Sequence, residues 1–468
     1  MQSLFGPSYE PISILLVLSH VSTVCVIDCG RVREVRQNKR TSTSTLVTDW
    51  CSKASSKQRA GRAGRVQPGI CLNLYSSATF KSVMKASSEP ELKRVPLEEV
   101  CLSILASGFS NSCMHFLSQA PEPPSEKSVQ NALKALLEVG AISVQSLGRN
   151  ERSTETLTPL GVHLSKLPVD VRLGKMMIFG ALFGCIDKVV TIAAGLSCQS
   201  PFSTFVTDAH IAKAKQSTFH DESSDFITIC NVWREFRKTK TNNEGRKFCN
   251  TNYLKHTVLR EMRDARWQFL DLLSNIGFLD RDSLTENGAR KKWDDNLIAA
   301  SRFNRNGENL DVVHAVVCAG LYPNVARIDV APGSLDHSIW HKQERLHFHS
   351  TSVNSKKKRF LTTERWIAFH EKFGTSNRVS VASTCFVHPF ALLIFGGDIQ
   401  VKHLDRKVLV DEWIEIGMSA QTGVLLRELR HQVEGLLQEM VLGTRTNGRS
   451  GETKHEAMVE GIIKLITN

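Results

Sequence analysis

The eight residues Gln58-Arg59-Ala60-Gly61-Arg62-Ala63-Gly64-Arg65 have types and a spacing that could do chemistry. In phosphoryl transfer, negative charge builds on the oxygens of the γ-phosphate, and a guanidinium placed there is worth about 10³–10⁵ in rate. Arginine suits this role better than lysine because its planar fork can bond two oxygens at once. Arg62 and Arg65 are three apart, so one helical face would present both. Gln58, four before Arg62, falls on the same side and could orient a water or touch the phosphate. Gly61 and Gly64 allow a close backbone approach. An Arg/Gly-rich surface loop that holds nucleic acid loosely fits the same spacing.

Two strands are expected to position this segment. Residues 22–30, Ser-Thr-Val-Cys-Val-Ile-Asp-Cys-Gly, read as a buried strand ending near Asp28 and Gly30. Continuous apolar runs of this length suit a parallel sheet covered on both faces. A polar, basic stretch, Arg31 to Thr45, follows. The run from Gly69 to Tyr75 alternates as a second strand. Strand, helix, strand is α/β texture. Asp28 would either orient the end of this sheet or cap the following loop.

Composition narrows the function classes. The chain has 468 residues, 59 Lys and Arg against 47 Asp and Glu, and a net charge of +12. At roughly 100–200 residues per domain, three or four domains are expected. The excess of positive charge attracts polyanions, of which nucleic acid is the first to consider, although a basic surface without a partner gives the same count. Twelve cysteines occur with no Cys-x-x-Cys pair. Zinc sites need such paired spacing, so no metal is expected. Cysteines this sparse do not make a disulfide scaffold and point to reduced thiols in cytosol or nucleus, the cytosol first. The uncharged run Pro11 to Ile27 is shorter than the ~20 residues of a membrane span. It lacks a preceding Lys or Arg, so a buried strand pair is expected rather than a signal or membrane segment.

From about Pro96 the texture turns helical. Val129, Ala132, Leu133, Leu136 and Leu137 share one helical face, with Gly140 placed to end the helix. Two strands around a polar turn are expected between Gly140 and Gly161, which with the preceding helices suggests a winged helix. Leu167 to about Leu279 reads as helices, with a polar linker at Lys238 to Lys247. Asp280 to Glu308 reads as polar and loop-rich. Short strand-like runs follow at Asn324–Val330, Arg345–Phe348, Val379–Phe386, Ala391–Phe395 and Lys407–Val410, suggesting a small barrel. Trp366, Phe369 and Phe373, spaced by three and four, read as a core face at helical spacing. His163 has no convergent partner in sequence and reads as structural. A final helix is expected to carry Leu425, Leu429, Leu436 and Met440 on one face, with a polar, flexible stretch at 443–455.

Gln58 to Arg65 resembles motif VI of superfamily 2 helicases in the form typical of DEAH/RHA RNA helicases. Cys25 to Glu34 resembles the strand after motif V, and Ser52-Lys53-Ala54-Ser55 the approach to motif VI. The likeness extends from about Cys25 to Leu437. It runs through Arg94-Val95-Pro96-Leu97-Glu98-Glu99, Leu157-Thr158-Pro159-Leu160-Gly161, Leu167-Pro168-Val169-Asp170, Cys318-Ala319-Gly320-Leu321-Tyr322-Pro323 and His388-Pro389-Phe390-Ala391. The phrases from Phe116 onward resemble the branch that works with ribosomes in translation initiation.

The resemblance implies a multidomain α/β plus α plus β chain. Residues 1–95 would be a partial RecA-like domain, 96–165 a winged helix, 166–290 a helical ratchet, 291–425 an OB-fold barrel, and 426–468 a C-terminal helix and tail. It implies that Gln58, Arg62 and Arg65 face ATP with Mg²⁺, the two arginines as arginine fingers, and gives Arg59 no nucleotide contact. His349, Ser352, Asn354, Lys372 and Thr375 would approach RNA, and their chemistry suits phosphate and sugar contacts. Single-stranded RNA, a ribosome or an activator with a glycine-rich patch would be partners, and no membrane. The basic run Lys356-Lys357-Lys358-Arg359 would touch phosphate, serve as a localisation patch or be solvated.

No Gly-x-x-x-x-Gly-Lys-Ser/Thr and no DEAH-like box occurs in the sequence. ATP hydrolysis needs a loop and Lys around the phosphates and an acidic residue for Mg²⁺. The expectation is therefore the C-terminal half of a 3′-to-5′ RNA helicase, not hydrolytic alone, with an atypical start over Met1 to His20. The alternative is a non-enzymatic RNA- or ribosome-binding module.

Overall fold

The computed structural model describes residues 25–37, 44–63, 68–145, 154–203, 209–285, 293–330, 337–357, 360, 365–375, 378–442 and 449–467. The apolar run Pro11–Val24, Gly64, Arg65, Lys358 and Arg359 lie outside them. The chain divides into two compact units, with the boundary falling inside one helix near Leu133 and Lys134.

In the first unit, β1 (Cys25–Asp28), the hairpin β2 (Arg31–Gln37) and β3 (Ser44–Trp50), α1 (Lys53–Ala60) and β4 (Ile70–Asn73) surround the motif. β1 and β4 pair in parallel, Val26 opposite Cys71 and Asp28 opposite Asn73, as the α/β texture implies. The pattern alternates more than a doubly covered strand would: Val26 and Asp28 are buried, while Ile27, Ile70 and Leu72 are more than half exposed. The basic stretch after Arg31 forms a hairpin, with Arg31 stacked 3.5 Å over the Trp50 ring. Helices α2 (Glu91–Arg94), α3 (Glu98–Ala106) and α4 (Cys113–Ser118) follow.

Helix α5 (Glu126–Val139) buries Val129, Ala132 and Leu136 of the expected stripe, leaves Leu137 50% exposed, and stops where Gly140 takes φ +80°, the left-handed conformation that suits glycine. In the second unit, β5 (Ile142–Gln145) and β6 (Thr154–Leu157) pair antiparallel. Thr158 then caps α6 (Pro159–Leu164), with Pro at its first turn, where no N–H is needed. Asp170 caps α7 (Val171–Leu182) through the Arg172 and Leu173 amides. Helices α7 and α8 (Ile186–Ser197) are apolar on nearly every side, which fits their central place among helices. α9 (Ala209–Ser217), α10 (Asp225–Phe236), α11 (Asn242–Thr251) and α12 (His256–Asn275) complete the bundle. The polar stretch read as a linker already contains the first turns of α11, capped by Thr241.

The stretch from Asp280, read as loop, contains α13 (Arg281–Leu284) and α14 (Asp295–Ala300). Arg266 on α12 holds it in place. This fully buried guanidinium bonds Asp187 of α8 and Asp295 of α14, both at 2.9 Å, and lies over Trp233. A buried pair of this kind fixes arrangement more reliably than it adds stability. Helix α15 (Leu310–Leu321) packs along α7, where Gly320 is required: a Cβ there would lie 2.5 Å from the Met176 Cβ.

The strands that follow are β7 (Val325–Val330), β8 (His337–His341), β9 (Glu344–Phe348), β10 (Trp366–Thr375) and β11 (Arg378–Phe386). They close into a barrel in the order β10-β11-β9-β8-β7. Its interior holds Ile328, Ile339, Leu346, Ile367, Phe369 and Val381. The aromatic residues spaced by three and four are on strand β10, not a helix. Phe369 enters the barrel core, Trp366 packs on Trp413 outside it, and Phe373 is 43% exposed.

Ala391–Phe395, read as a strand, belongs to α16 (Pro389–Phe395). His388 caps it and Pro389 starts it, a local N-terminal signal that outweighs the apolar run. Lys407–Val410 is a strand, but in a separate sheet of β12 (Ile399–Lys402), β13 (Lys407–Val410) and β14 (Ile414–Gly417). Helices α17 (Ala420–Leu442) and α18 (Arg449–Thr467) end the chain. The buried face of α17 runs through Leu426, Val433, Leu436 and Leu437, so Leu436 of the expected stripe is buried while Leu425 is 65% exposed. Part of the stretch read as flexible, from Arg449, is the first turns of α18. His163 is buried, its Nε2 3.3 Å from the Leu437 carbonyl and its ring against Phe278, a structural role.

Candidate nucleotide and RNA sites

In the first unit the motif sits where α1 ends. Ser52 starts the helix, its Oγ accepting the Ser55 amide at 3.1 Å. The Gly61 amide closes the last helical turn on the Lys57 carbonyl. Beyond it the Arg62 and Ala63 amides bond three residues back, to Arg59 and Ala60. Gln58 therefore lies on the helix and Arg62 in the turn after it, so they are not on one continuous helical face. Arg65 lies outside the described residues. Gln58 and Arg62 are exposed, and neither side chain has a hydrogen-bond or ion-pair partner among the described residues.

Arg59 does the bracing. Its Nη1 donates to Asp28 Oδ1 at 2.9 Å and to the Arg31 carbonyl at 3.2 Å. Asp28 is 3% exposed, and the same oxygen accepts the Gly30 amide at 2.9 Å. Asp28 thus both caps the loop after β1 and ties that strand to the end of α1. Burial and the nearby Asp28 push the thiols around this joint, Cys51 and Cys71, above their ordinary range, although Arg59 pulls Cys51 the other way.

The second unit carries the residues expected to meet RNA. His349 sits just past β9, its Nδ1 2.8 Å from the Thr351 hydroxyl and its ring 5.3 Å from Phe373. Lys372, on β10, pairs with Glu344. Burial holds the Glu371 carboxyl above its ordinary range, while the neighbouring His349 works in the opposite direction. Thr375 ends β10, in register with Arg378. His349, Lys372, Phe373 and Thr375 thus gather near the paired ends of β10 and β11.

Ser352 and Asn354 are placed differently. They are 3% and 0% exposed. Ser352 Oγ donates to Asp225 Oδ2 at 2.7 Å, and Asn354 Nδ2 donates to the Ser223 carbonyl and the Thr384 hydroxyl. Asp225 also accepts the Val353 and Thr384 amides at 2.8 and 2.7 Å. Their side chains join the start of α10 to the barrel. The sequence reading missed Asp225 and Thr384 in this joint. Ser-Ser-Asp before an apolar run signals a helix start, but not that its carboxylate reaches a strand 159 residues away.

The family models that match this chain all lie within the second unit. Residues 170–229 match the helicase associated domain (HA2), described as ratchet-like. Residues 313–399 match the oligonucleotide/oligosaccharide-binding (OB) fold, and 406–468 the C-terminal domain in RNA helicases. The chain is 35% identical over 95% of its length to the chloroplastic DExH-box ATP-dependent RNA helicase DExH4 of Arabidopsis thaliana, covering 32% of that protein. It is 35% identical over 95% of its length to the human ATP-dependent DNA/RNA helicase DHX36, covering 42% of it. It is 34% identical over 89% of its length to the human ATP-dependent RNA helicase DHX29, covering 29% of it. The chain thus spans between about a third and two-fifths of the length of the first two.

Proposed function

Because the chain belongs to the DExH/DEAH family of RNA helicases, we propose that it forms the RNA-holding part of an ATP-driven 3′-to-5′ motor and supplies the arginines of that motor's nucleotide site. The observation that carries this reading is the pair of uncommitted polar side chains, Gln58 and Arg62, at the end of a helix braced by Asp28 and Arg59. They offer a carboxamide and a guanidinium, groups that fit phosphate oxygens. Arg62 and Arg65 would take the charge that develops on the γ-phosphate, and Gln58 would hold the attacking water or a phosphate oxygen. ATP with Mg²⁺ would supply the free energy of opening and closing between two RecA-like lobes, of which β1, α1 and β4 belong to one.

Neither a Walker-type loop nor a DEAH box is present in these 468 residues. The phosphate cradle and the Mg²⁺ ligands would stand on the other lobe, and this chain alone would not turn over ATP. The first unit would contain the second RecA-like lobe, and α3 to α5 with β5 and β6 would form the winged helix. RNA would lie along the barrel at His349, Lys372 and Thr375, with Ser352 and Asn354 holding the loop that carries His349. Ribosomes, or an activator with a glycine-rich patch, would be partners in cytosol or nucleus. Among the described residues no helix is long and apolar enough to cross a membrane.

A second reading keeps the same surfaces without catalysis: an RNA- or ribosome-binding module in which motif VI is idle. The lack of a phosphate-binding loop in the sequence favours it for the chain by itself. Both readings require RNA binding. Fluorescence anisotropy with a labelled single-stranded RNA, repeated between about 50 and 200 mM salt, tests that requirement. Several phosphate contacts would weaken binding steeply, by about tenfold or more over that range. No binding, or binding indifferent to salt, would contradict both.

A further inference from the structure

Strands β1 and β4 pair in parallel in the first unit, with one face covered and the other bare. On the inner face Val26 and Asp28 are buried, and Asp28 is tied to Arg59 of α1. On the outer face Cys25 stands opposite Ile70, and Ile27 opposite Leu72. All four are exposed, the three aliphatic ones by more than half. The Leu74 amide carries the pairing one step further, onto the Asp28 carbonyl at 2.8 Å, and its side chain is exposed as well. Parallel strands are ordinarily covered on both faces, and a contiguous apolar patch marks a contact surface.

The chain itself holds a segment of matching chemistry. Twenty-four residues precede β1 and lie outside the described ones. Six of the seven residues 12–18 are aliphatic, and residues 11–27 carry no charged side chain. The other stretches outside the described residues run to eight residues at most. Six residues, 19–24, separate the aliphatic run from β1. Extended, they reach roughly 20 Å. That is enough to turn back across the roughly 10 Å between a sheet and a layer packed on its face. The helicase motifs begin at Cys25, so this segment belongs to none of them.

We propose that residues 12–18 fold back over the outer face of β1 and β4 and seat their aliphatic side chains on Ile27, Ile70, Leu72 and Leu74. The segment is then an intramolecular cover for the strand that ends at Asp28 and, through Arg59, braces the helix carrying Gln58. The inference is independent of the nucleotide and RNA readings. A second copy of the chain is the rival occupant of this face, and the test separates the two.

The experiment uses the 468-residue chain and pulse labelling with N-ethylmaleimide, read cysteine by cysteine by mass spectrometry. Thiol labelling follows access. Cys25 reports on the outer face, and Cys101, fully buried in the same unit, reports on folding. Native Cys25 should react at least about tenfold more slowly than in the chain unfolded by guanidinium. In the Leu16→Asp/Leu18→Asp variant, with Cys101 still protected, it should react within about threefold of the unfolded rate. A second arm holds even if that variant fails to fold: Leu16→Cys/Leu74→Cys, treated with a short bis-maleimide, should give a 16–74 link within the monomer. Cys25 as reactive in the native chain as in the unfolded one overturns the proposal. Absence of the 16–74 link overturns it, and so does Cys25 protection that survives in the folded Asp variant. Protection that grows with protein concentration beside a dimer in light scattering assigns the face to a second copy, which overturns it too.

Discussion

Asp225 accepts hydrogen bonds from the Ser352 and Thr384 hydroxyls and the Val353 and Thr384 amides, all between 2.7 and 3.1 Å. Removing its carboxylate leaves those donors without their acceptor, two of them backbone amides. A lost hydrogen bond to a charged group costs about 1.5–3 kcal/mol, and the losses here are shared by one group rather than additive. Asp225→Ala should therefore lower unfolding free energy by about 3 kcal/mol, read as a shift in denaturant midpoint at constant slope. A shift under about 0.5 kcal/mol would mean that the barrel is held to α10 by packing alone. At this scale the sequence was a partial guide. Ser352 and Asn354 have the right chemistry to meet phosphate, and sequence cannot tell an exposed hydroxyl from one bonded to a distant carboxylate. Asp28 and Arg59 show the reverse: residue types adjacent to the motif settled nothing between capping and bracing until β1 and α1 were placed side by side.

Among the elements, α7 carries a second testable feature. Lys175 is buried on it, donating to the Val139 carbonyl at the end of α5 at 2.8 Å. Burial first, then the nearby Arg430, lower its pKa to about 8, with Cys318 and Glu434 acting in the opposite direction. Below about pH 8 the ammonium is charged in both folded and unfolded chains, so folding bears the full burial penalty. Between about 8 and the ordinary lysine value near 10.5, the unfolded chain holds the proton more tightly than the folded one. Stability from this group therefore rises with pH across that window. Lys175→Met lacks the titration, so wild type should gain on the variant as pH rises from about 7.5 to 10, by about 1–3 kcal/mol in paired chemical melts. A constant difference would show that Lys175 does not titrate in that range.

The legibility of elements followed their signals. Strongly periodic or well-capped pieces, such as α5 and the β1–β4 pair, were readable. β10 was not, because Trp366, Phe369 and Phe373 mimic helical spacing. Trp366 and Phe369 lie on opposite strand faces and are both buried, one in the barrel and one against Trp413. The Ala391–Phe395 run misled because an apolar pentapeptide looks alike in helix and strand, and only His388-Pro389 marks it as a helix start.

For the whole molecule, the family was legible because motif VI and the phrases through the helical bundle and barrel are long and specific strings. The geometry of the candidate nucleotide site was less so. The sequence placed Gln58, Arg62 and Arg65 on one helical face, whereas α1 ends at Ala60 and Arg62 follows in a turn. The central claim is that this chain contributes arginines and RNA-holding surfaces to a motor but not its phosphate-binding loop. ATP hydrolysis by the purified 468-residue chain, with and without single-stranded RNA and beside an Arg62→Ala/Arg65→Ala variant, tests it most directly. The account predicts no turnover above background in any of these, together with salt-sensitive RNA binding. RNA-stimulated turnover that disappears in the double variant would contradict it and place a complete phosphate site within this chain.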